Sequence, residues 1–497
     1  MPASAVFFCG HGAFRNRFRG IYSKFDVIMF FSPQKRLLLL VETLKSDIMY
    51  DLAILGGGPA GYVAAENAGA KGMKTILFEK RELGGVCLNE GCIPTKTLLY
   101  SAKMYDHATG GKKYGITAEN VAFEYKKMAD RKTKVVRKLV AGIKLKMEHN
   151  NVEVVKGEAF IVAGNAEAVT IKCGEETYSA SRLLICTGSE AFVPPIPGAR
   201  DNDAVLTNRE MLALTQAPES LVVIGGGVIG MEFASLYNSL GVPVTVIEML
   251  PEILGGLDKE ISEMLRGIYA KRGVRFNLRC KVTAIEGNKV CFTDAEGNEQ
   301  SVEGDKILMS VGRRPTLDGF GLENIPVEVD RGIKVNEYMQ TTMPNVYAAG
   351  DVTGFSLLAH TASREGEVAV NHMLGIDDRM AYNAIPGIVY TNPEVSSVGI
   401  TEEQAEAQGI EYRLSKLPMT YAGRFVAENE GQTGLCKILA SPDGKVLGVH
   451  MLGNASSEFV CAACMAITNG LTVTDLRRTV FPHPTVCEIL KEGLFEL

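Results

Sequence analysis

The sequence predicts an α/β fold, and three observations carry that prediction. An apolar strand pattern running straight into a glycine turn and then a helix of small residues occurs twice, once near Tyr50 and again near Leu221. Each copy continues into a second short apolar strand that ends on an acid. The chain of 497 residues, 46% hydrophobic, is long enough for three or four cores at about 150 residues each.

The first copy begins with Tyr50-Asp51-Leu52-Ala53-Ile54-Leu55, a buried strand, and meets Gly56-x-Gly58-x-x-Gly61 with a helix predicted over Tyr62 to Gly72. Gly56 makes the tight turn, Gly58 admits a pyrophosphate to the backbone, and Gly61 lets helix and strand pack closely, with the helix N-terminus facing the anion. The next strand, Thr75 to Phe78, leads to Glu79, 18 residues past Gly61 and within reach of a ribose hydroxyl. Glycine turns alone are common; here strand, turn, helix and acid occur together.

Gly84 to Pro94 follows at once and holds Cys87 and Cys92, five residues apart. Five residues of helix rise about 7.5 Å, beyond the roughly 4.4 to 6.8 Å that a disulfide tolerates between Cα atoms, so the backbone must fold back locally. Gly84, Gly85 and Gly91 permit that fold, and Pro94 suits a first helical turn whose N–H groups stabilise a thiolate at Cys92. Two buried structural thiols are the alternative reading; the spacing favours a redox pair.

The second copy runs from the strand Leu221 to Ile224 into Gly225-x-Gly227-x-x-Gly230, a helix predicted over Met231 to Leu240, the strand Val244 to Ile247 and Glu248. A second dinucleotide is implied. Glu248 would accept from a 2′-hydroxyl and repel a 2′-phosphate, and Met249 and Leu250 follow rather than an arginine, so NAD is favoured over NADP.

Composition excludes several classes. A net charge of −6 with both signs interspersed leaves no electrostatic footprint for nucleic acid or an anionic membrane. The 52 glycines follow no repeat, and the 11 cysteines are scattered rather than set out as a secreted disulfide framework. No metal cluster is read. Residues 1–48 form a Phe-rich, basic stretch whose longest apolar run, Leu37 to Val41, is too short to span a bilayer. We expect them to be an extension outside the fold, with Met49 as the natural start and a cytoplasmic location; a mitochondrial matrix location is the alternative if 1–48 is a presequence.

From Met49 to Leu497 the ordered motifs resemble the flavoprotein disulfide reductases, that is the class I pyridine nucleotide-disulfide oxidoreductases, and within them the dihydrolipoamide dehydrogenases. Leu183-Leu184-Ile185-Cys186-Thr187-Gly188-Ser189 is similar to the strand returning from the family's FAD domain, Val311-Gly312-Arg313-Arg314-Pro315 to the exit from its NAD domain, and Ala348-Ala349-Gly350-Asp351 to its second FAD motif. Ile385-Pro386-Gly387-Ile388-Val389-Tyr390-Thr391 resembles the start of its dimerisation domain, which closes on His483-Pro484-Thr485-Val486-Cys487-Glu488. The resemblance implies two Rossmann-like dinucleotide-binding domains, for FAD and NAD, plus an α+β C-terminal dimerisation domain. The expected boundaries are 49–190 (FAD), 191–315 (NAD), 316–384 (central, completing the FAD site) and 385–497 (interface).

It also implies site roles. FAD would be held by Gly56, Gly58, Gly61, Glu79, Lys96, Thr187, Gly188 and Asp351, and NAD by Gly225, Gly227, Gly230, Glu248 and Gly312. Cys87 would exchange with substrate, Cys92 would lie against the flavin as a thiolate, and Lys96 and Glu232 would pair near its reactive nitrogen. His483 would be the base, held by Glu488 and serving the disulfide of the other subunit, so a homodimer is implied. Without the resemblance, Asp351 reads as a turn, His483 as an ordinary histidine and Lys96 and Glu232 as surface charges.

The expected activity is NAD-dependent oxidation of dihydrolipoamide carried on lipoyl domains, or a lipoyl carrier protein, of 2-oxoacid dehydrogenase or glycine cleavage complexes. Phe481 stands where a histidine is usual, and glutathione-type reductases share the His-Pro-Thr ending, so a glutathione-type reductase is one alternative. Thr95, in place of that branch's second lysine, with Leu88 and Ile93, favours the lipoyl branch. A mainly structural docking subunit is the other alternative, opposed by the presence of both cysteines, His483 and Glu488. Cys461 and Cys464 read as part of a buried or interface helix over Phe459 to Ile467, and Lys126 to Lys146 as an amphipathic helix.

Overall fold

The structure is a computed structural model in which residues 49–497 are described; the expectation for residues 1–48 falls outside the described residues. The first sheet has Met49–Leu55 at its centre, flanked by Thr75–Glu79 and Glu176–Ile185, with Glu153–Lys156 beyond Thr75–Glu79. All four are parallel. Parallel strands covered on both faces have no solvated side to fill with polar residues, which is why Leu52, Ala53 and Ile54 can be consecutive and fully buried. Val169–Cys173 and Ala159–Gly164 extend the sheet antiparallel. After the second unit the chain returns, and Val346–Ala348 pairs parallel with Glu176–Ile185. That return brings Asp351 to the carboxyl edge of the same sheet as the first glycine turn, the edge where open α/β sheets bind ligands.

The second sheet runs Arg275–Asn277, Val244–Ile247, Leu221–Ile224, Lys306–Met309, Val205–Leu206, all parallel. A three-stranded antiparallel sheet over 281–303 accompanies it, and an antiparallel ribbon of Ser189–Ala191 with Arg313–Pro315 joins the two units. The C-terminal part is α+β: an antiparallel sheet in the order Gly387–Val389, Val395–Gly399, Val446–Leu452, Leu435–Ala440, Arg413–Pro418, with helices Ser456–Thr468 and Glu488–Phe495 burying Val460, Ala463, Ile489 and Leu490 in a shared core.

Two predicted helices begin three residues earlier than expected, at Pro59 rather than Tyr62 and at Val228 rather than Met231. The reason is common to both. Gly58 and Gly227 are extended N-caps, so the residues between the last two glycines of each motif already lie in the first helical turn. The Lys-rich helix spans Tyr125–His149 and buries Met128, Ile143 and Met147, but Leu145 is exposed. It sits two residues from both Ile143 and Met147, about 200° around the axis from each.

The helix Cys92–Thr109 ties the units together. Its Leu98, Leu99 and Ala102 are buried in the same core as Met231, Leu236 and Val246 of the second unit. Among the described residues no helix is long and apolar enough to cross a membrane, and no cluster of three or more His, Cys, Asp or Glu side chains is arranged to hold a metal ion.

Candidate active site

A single cavity of about 1380 Å³ runs between the two glycine turns, with Cys87, Cys92, Lys96, Glu232 and Asp351 on its wall. Both turns need glycine for the same physical reason. A Cβ on Gly56 (φ +103°) would lie 2.2 Å from the Cys186 carbonyl oxygen, and one on Gly61 would lie 1.8 Å from the Gly56 oxygen. At the second turn the corresponding distances are 2.5 Å from the Ser310 oxygen for Gly225 (φ +101°) and 2.0 Å from the Gly225 oxygen for Gly230. Gly188 and Gly312 also line the cavity with positive φ, +72° and +120°.

The two strand-end acids are held alike. Glu79 accepts from the Gly57 N–H at 2.7 Å and the Arg81 N–H at 2.6 Å. Glu248 accepts from the Gly226 N–H at 2.6 Å and the Leu250 N–H at 2.7 Å. Each carboxylate is thus fixed beside its glycine turn with lone pairs left for a ribose hydroxyl. Asp351 accepts from the Ser189 hydroxyl at 2.5 Å, and Arg313 stands 3.9 Å from the same carboxylate. Burial raises the Asp351 carboxyl. Thr187 lines the cavity and donates to the Thr316 carbonyl at 2.9 Å. These glycines and acids fit two dinucleotides, one on each side of the cysteines.

The cysteine segment folds back as its spacing demands. Gly85–Glu90 is a six-residue helix carrying Cys87; Gly91 breaks it, and Cys92 opens an 18-residue helix. Both cysteines are free thiols, hydrogen-bonded to each other. Accepting from Cys87 draws Cys92 down to about 7, the Lys96 ammonium adding to this and burial opposing it; Cys87, as donor, is held well above the usual thiol range. Of the two cysteines, Cys92 is thus the one whose surroundings favour the thiolate.

Lys96 Nζ lies 2.8 Å from both carboxylate oxygens of Glu232, which has only 4% of its side chain exposed. His483 Nδ1 lies 2.9 Å from Glu488, whose other oxygen accepts from the Thr485 N–H at 2.9 Å. That N–H, and then His483, hold the Glu488 carboxyl below its ordinary value. Yet His483 is 79% exposed and neither residue of this pair lines the cavity, so one chain does not bring it to the cysteines. Of the second cysteine pair, Cys461 is exposed and Cys464 half-buried, on the helix Ser456–Thr468, with burial pushing the Cys464 thiol up to about 11.

Three features at the site were not anticipated. Glu365, wholly buried, accepts from the Gly350 N–H at 2.6 Å and the Tyr382 hydroxyl at 2.7 Å, and burial raises it to about 7. Arg313, part of a quoted motif but given no role, donates to the Ser189 hydroxyl and carbonyl at 2.8 and 2.6 Å. Glu90, between the cysteines, pairs with Arg209 at 2.7 Å and Arg81 at 3.5 Å, and both arginines also pair with Glu190.

Residues 50–366 match the family described as pyridine nucleotide-disulphide oxidoreductase, and residues 385–494 match that family's dimerisation domain. A dihydrolipoyl dehydrogenase of Mycoplasma pneumoniae is 39% identical over 461 residues, covering 90% of this chain and 99% of the relative. One from Bacillus subtilis is 37% identical over 450 residues, covering 89% and 95%. Among solved structures, LpdA from Mycobacterium tuberculosis superposes with a TM-score of 0.83 at 27% identity, over 90% of this chain and 99% of that one. The HOCl-induced flavoprotein disulfide reductase RclA from Escherichia coli does so at 0.78 and 27%, with the same coverage. By these matches, which take in both glycine turns, the cysteine pair and the His483 loop, the chain belongs to the pyridine nucleotide-disulphide oxidoreductase family.

Proposed function

We propose that the chain oxidises dihydrolipoamide to lipoamide with NAD⁺, as a homodimer loaded with FAD. The observation that carries this reading is the Cys87–Cys92 pair, one member held near neutrality, set between two glycine-turn sites and beside the Lys96–Glu232 ion pair. The similarity to dihydrolipoyl dehydrogenases over nine-tenths of the chain supports the choice of substrate. We assign 49–190 and 316–384 to the FAD unit, 191–315 to the NAD unit and 385–497 to the subunit interface.

In the oxidised enzyme a thiolate of dihydrolipoamide attacks Cys87, forming a mixed disulfide and breaking the Cys87–Cys92 bond, with Cys92 leaving as a thiolate. The second substrate thiolate attacks the substrate sulfur of that mixed disulfide, releasing lipoamide and Cys87. Two electrons have then passed to the cysteine pair. His483, oriented by Glu488, takes the protons of the substrate thiols; its exposure and distance from the cavity support delivery to the cysteines of the other subunit. Bound FAD supplies the two-electron relay from the dithiol to NAD⁺. Lys96 places a positive charge beside Cys92 and the flavin site, while Glu232 keeps it there. Physiological substrates are lipoyl groups carried on protein domains.

The test is anaerobic NADH formation by the FAD-loaded protein from dihydrolipoamide and NAD⁺, run beside glutathione disulfide with NADPH. Rapid NADH formation with a silent control is the expected result. Activity only in the control would move the chain to the glutathione-type branch.

A further inference from the structure

Lys96, Glu232 and Tyr390 come from three different units: the cysteine helix, the first helix of the second glycine unit, and the segment that follows strand Gly387–Val389 of the C-terminal sheet. Tyr390 touches both members of the ion pair. Its backbone N–H donates to Glu232 at 3.1 Å, and its ring centroid lies 4.6 Å from Lys96 Nζ. That is well inside the roughly 6 Å range over which an aromatic face attracts a cation. The ring is half-buried against the core that contains Leu98, Val389 and Phe233, so it is fixed in place rather than free to swing away.

We propose that Tyr390 is a positioning residue whose ring holds the Lys96 ammonium against Glu232 and beside Cys92, and thereby helps to set how readily Cys92 becomes a thiolate. An ammonium faced by an aromatic ring is less screened by water, and an unscreened charge acts more strongly on a neighbour. The charged and titratable groups around the three residues are few. Cys92 faces Cys87, Lys96, Glu232 and Tyr62; Lys96 faces Glu232, Cys92 and Tyr390; Tyr390 faces Lys96, Glu232, Glu394 and Glu458. Within one chain only Lys96 is a cation among them, the partner's His483 being the further titratable group that the dimer would bring to the cysteines. Removing what confines it weakens the one charge that favours the Cys92 thiolate, and leaves Glu232, which opposes it, in place. The ring, not the hydroxyl, is what faces the ammonium.

The inference rests on Cys87 and Cys92 being the redox pair, and its test separates the two claims. The reduced, FAD-loaded dimer is alkylated with iodoacetamide across a pH series, and the rate at Cys92 is followed by peptide mass. Wild-type Cys92 should titrate below the ordinary thiol range. Tyr390→Phe should stay within about 0.3 unit of wild type, while Tyr390→Leu and Tyr390→Met should rise by about 0.5 to 1 unit, a 3- to 10-fold loss of thiolate below the midpoint. FAD content and dimer mass select the variants that have folded, and Met, of similar reach but without a π face, serves if Leu does not fold. Unshifted Leu and Met variants overturn the proposal, as does a Phe variant that shifts as far as Leu. If instead wild-type Cys92 shows no titration and dihydrolipoamide gives no NADH, it is the reading of the redox pair that has failed.

Discussion

A Cβ on the first glycine of either turn would collide with a carbonyl of a neighbouring strand's end, and in both turns a following loop donates a backbone N–H to the middle glycine, Gly84 to Gly57 at 2.7 Å and Leu254 to Gly226 at 2.9 Å. The third position of contact separates them. A Cβ on Gly58 would lie 3.9 Å from the Gly85 Cα, and one on Gly85 would lie 2.7 Å from the Gly58 Cα, so the cysteine segment rests on the first turn, whereas a Cβ on Gly227 would meet nothing within 4 Å. The first turn is covered on that side by the segment that carries the cysteines, and the second is not. This difference supports our proposed assignment of FAD to the covered turn and NAD to the open one.

The strongest way to sharpen that contrast is Cys87→Ser. Turnover should fall by at least about 10³-fold, because Cys92 alone leaves no disulfide for the substrate thiolate to attack, while FAD stays bound because the backbone beside the first turn is untouched. A steady-state assay beside a flavin absorbance spectrum reads both. Next, Gly85→Ala and Gly227→Ala should diverge. The first forces a side chain into a φ of +58° against Gly58 and should cost about 1 to 3 kcal/mol of local strain, seen as FAD lost on gel filtration. The second should keep FAD and raise KM for NAD⁺ by about 10-fold, since the added methyl occupies only the space a pyrophosphate needs. If Gly227→Ala also sheds FAD, the two turns are not independent.

A smaller effect is expected at the open turn from Glu248→Ala. Losing the acceptor and the repulsion together should narrow the NAD/NADP preference by about 10-fold in kcat/KM, with FAD content unchanged. A last test, read on stability rather than turnover, lies under the first turn. Burial raises Glu365 from 4.5 to about 7, so the folded state holds its proton more tightly than the unfolded chain does. Its contribution to stability is whole below about 4.5 and is lost as pH rises toward 7. Glu365→Gln should remove that part of the decline, an effect of order 1 to 3 kcal/mol read as melting temperature against pH.

Much of this was legible locally. Leu52-Ala53-Ile54 before Gly56 and Val222-Val223-Ile224 before Gly225 show strand, turn and ligand in consecutive residues, and the carboxylates 18 residues on fall where they were expected. Lys96 and Glu232, 136 residues apart, have no local signature as a pair and were reached through the resemblance. Glu365, Arg209 and the ring of Tyr390 were not reached at all. Arg209 and Tyr390 act across units, on Glu90 and on the Lys96–Glu232 pair, and Glu365 acts through Gly350 and Tyr382, 15 and 17 residues away; no periodicity or spacing in the chain encodes such contacts. The helix starts were misplaced for the opposite reason: the glycine spacing is so distinctive that the helical turn already inside it was overlooked.

The shared core beneath Cys92 bears on how the enzyme is made. Leu98, Leu99 and Ala102 meet Tyr125 and Met128 early, but complete their core only when Met231 and Leu236 have been synthesised, and the Glu232 that pairs with Lys96 is 136 residues further along the chain. At about 5 to 20 residues per second, the helix that Cys92 opens waits on the order of ten seconds with only the Tyr125–His149 helix of that core to pack against. Through that interval Lys96 stands beside Cys92 without Glu232, so the charge pair next to the cysteines is completed only when the second unit folds against the first.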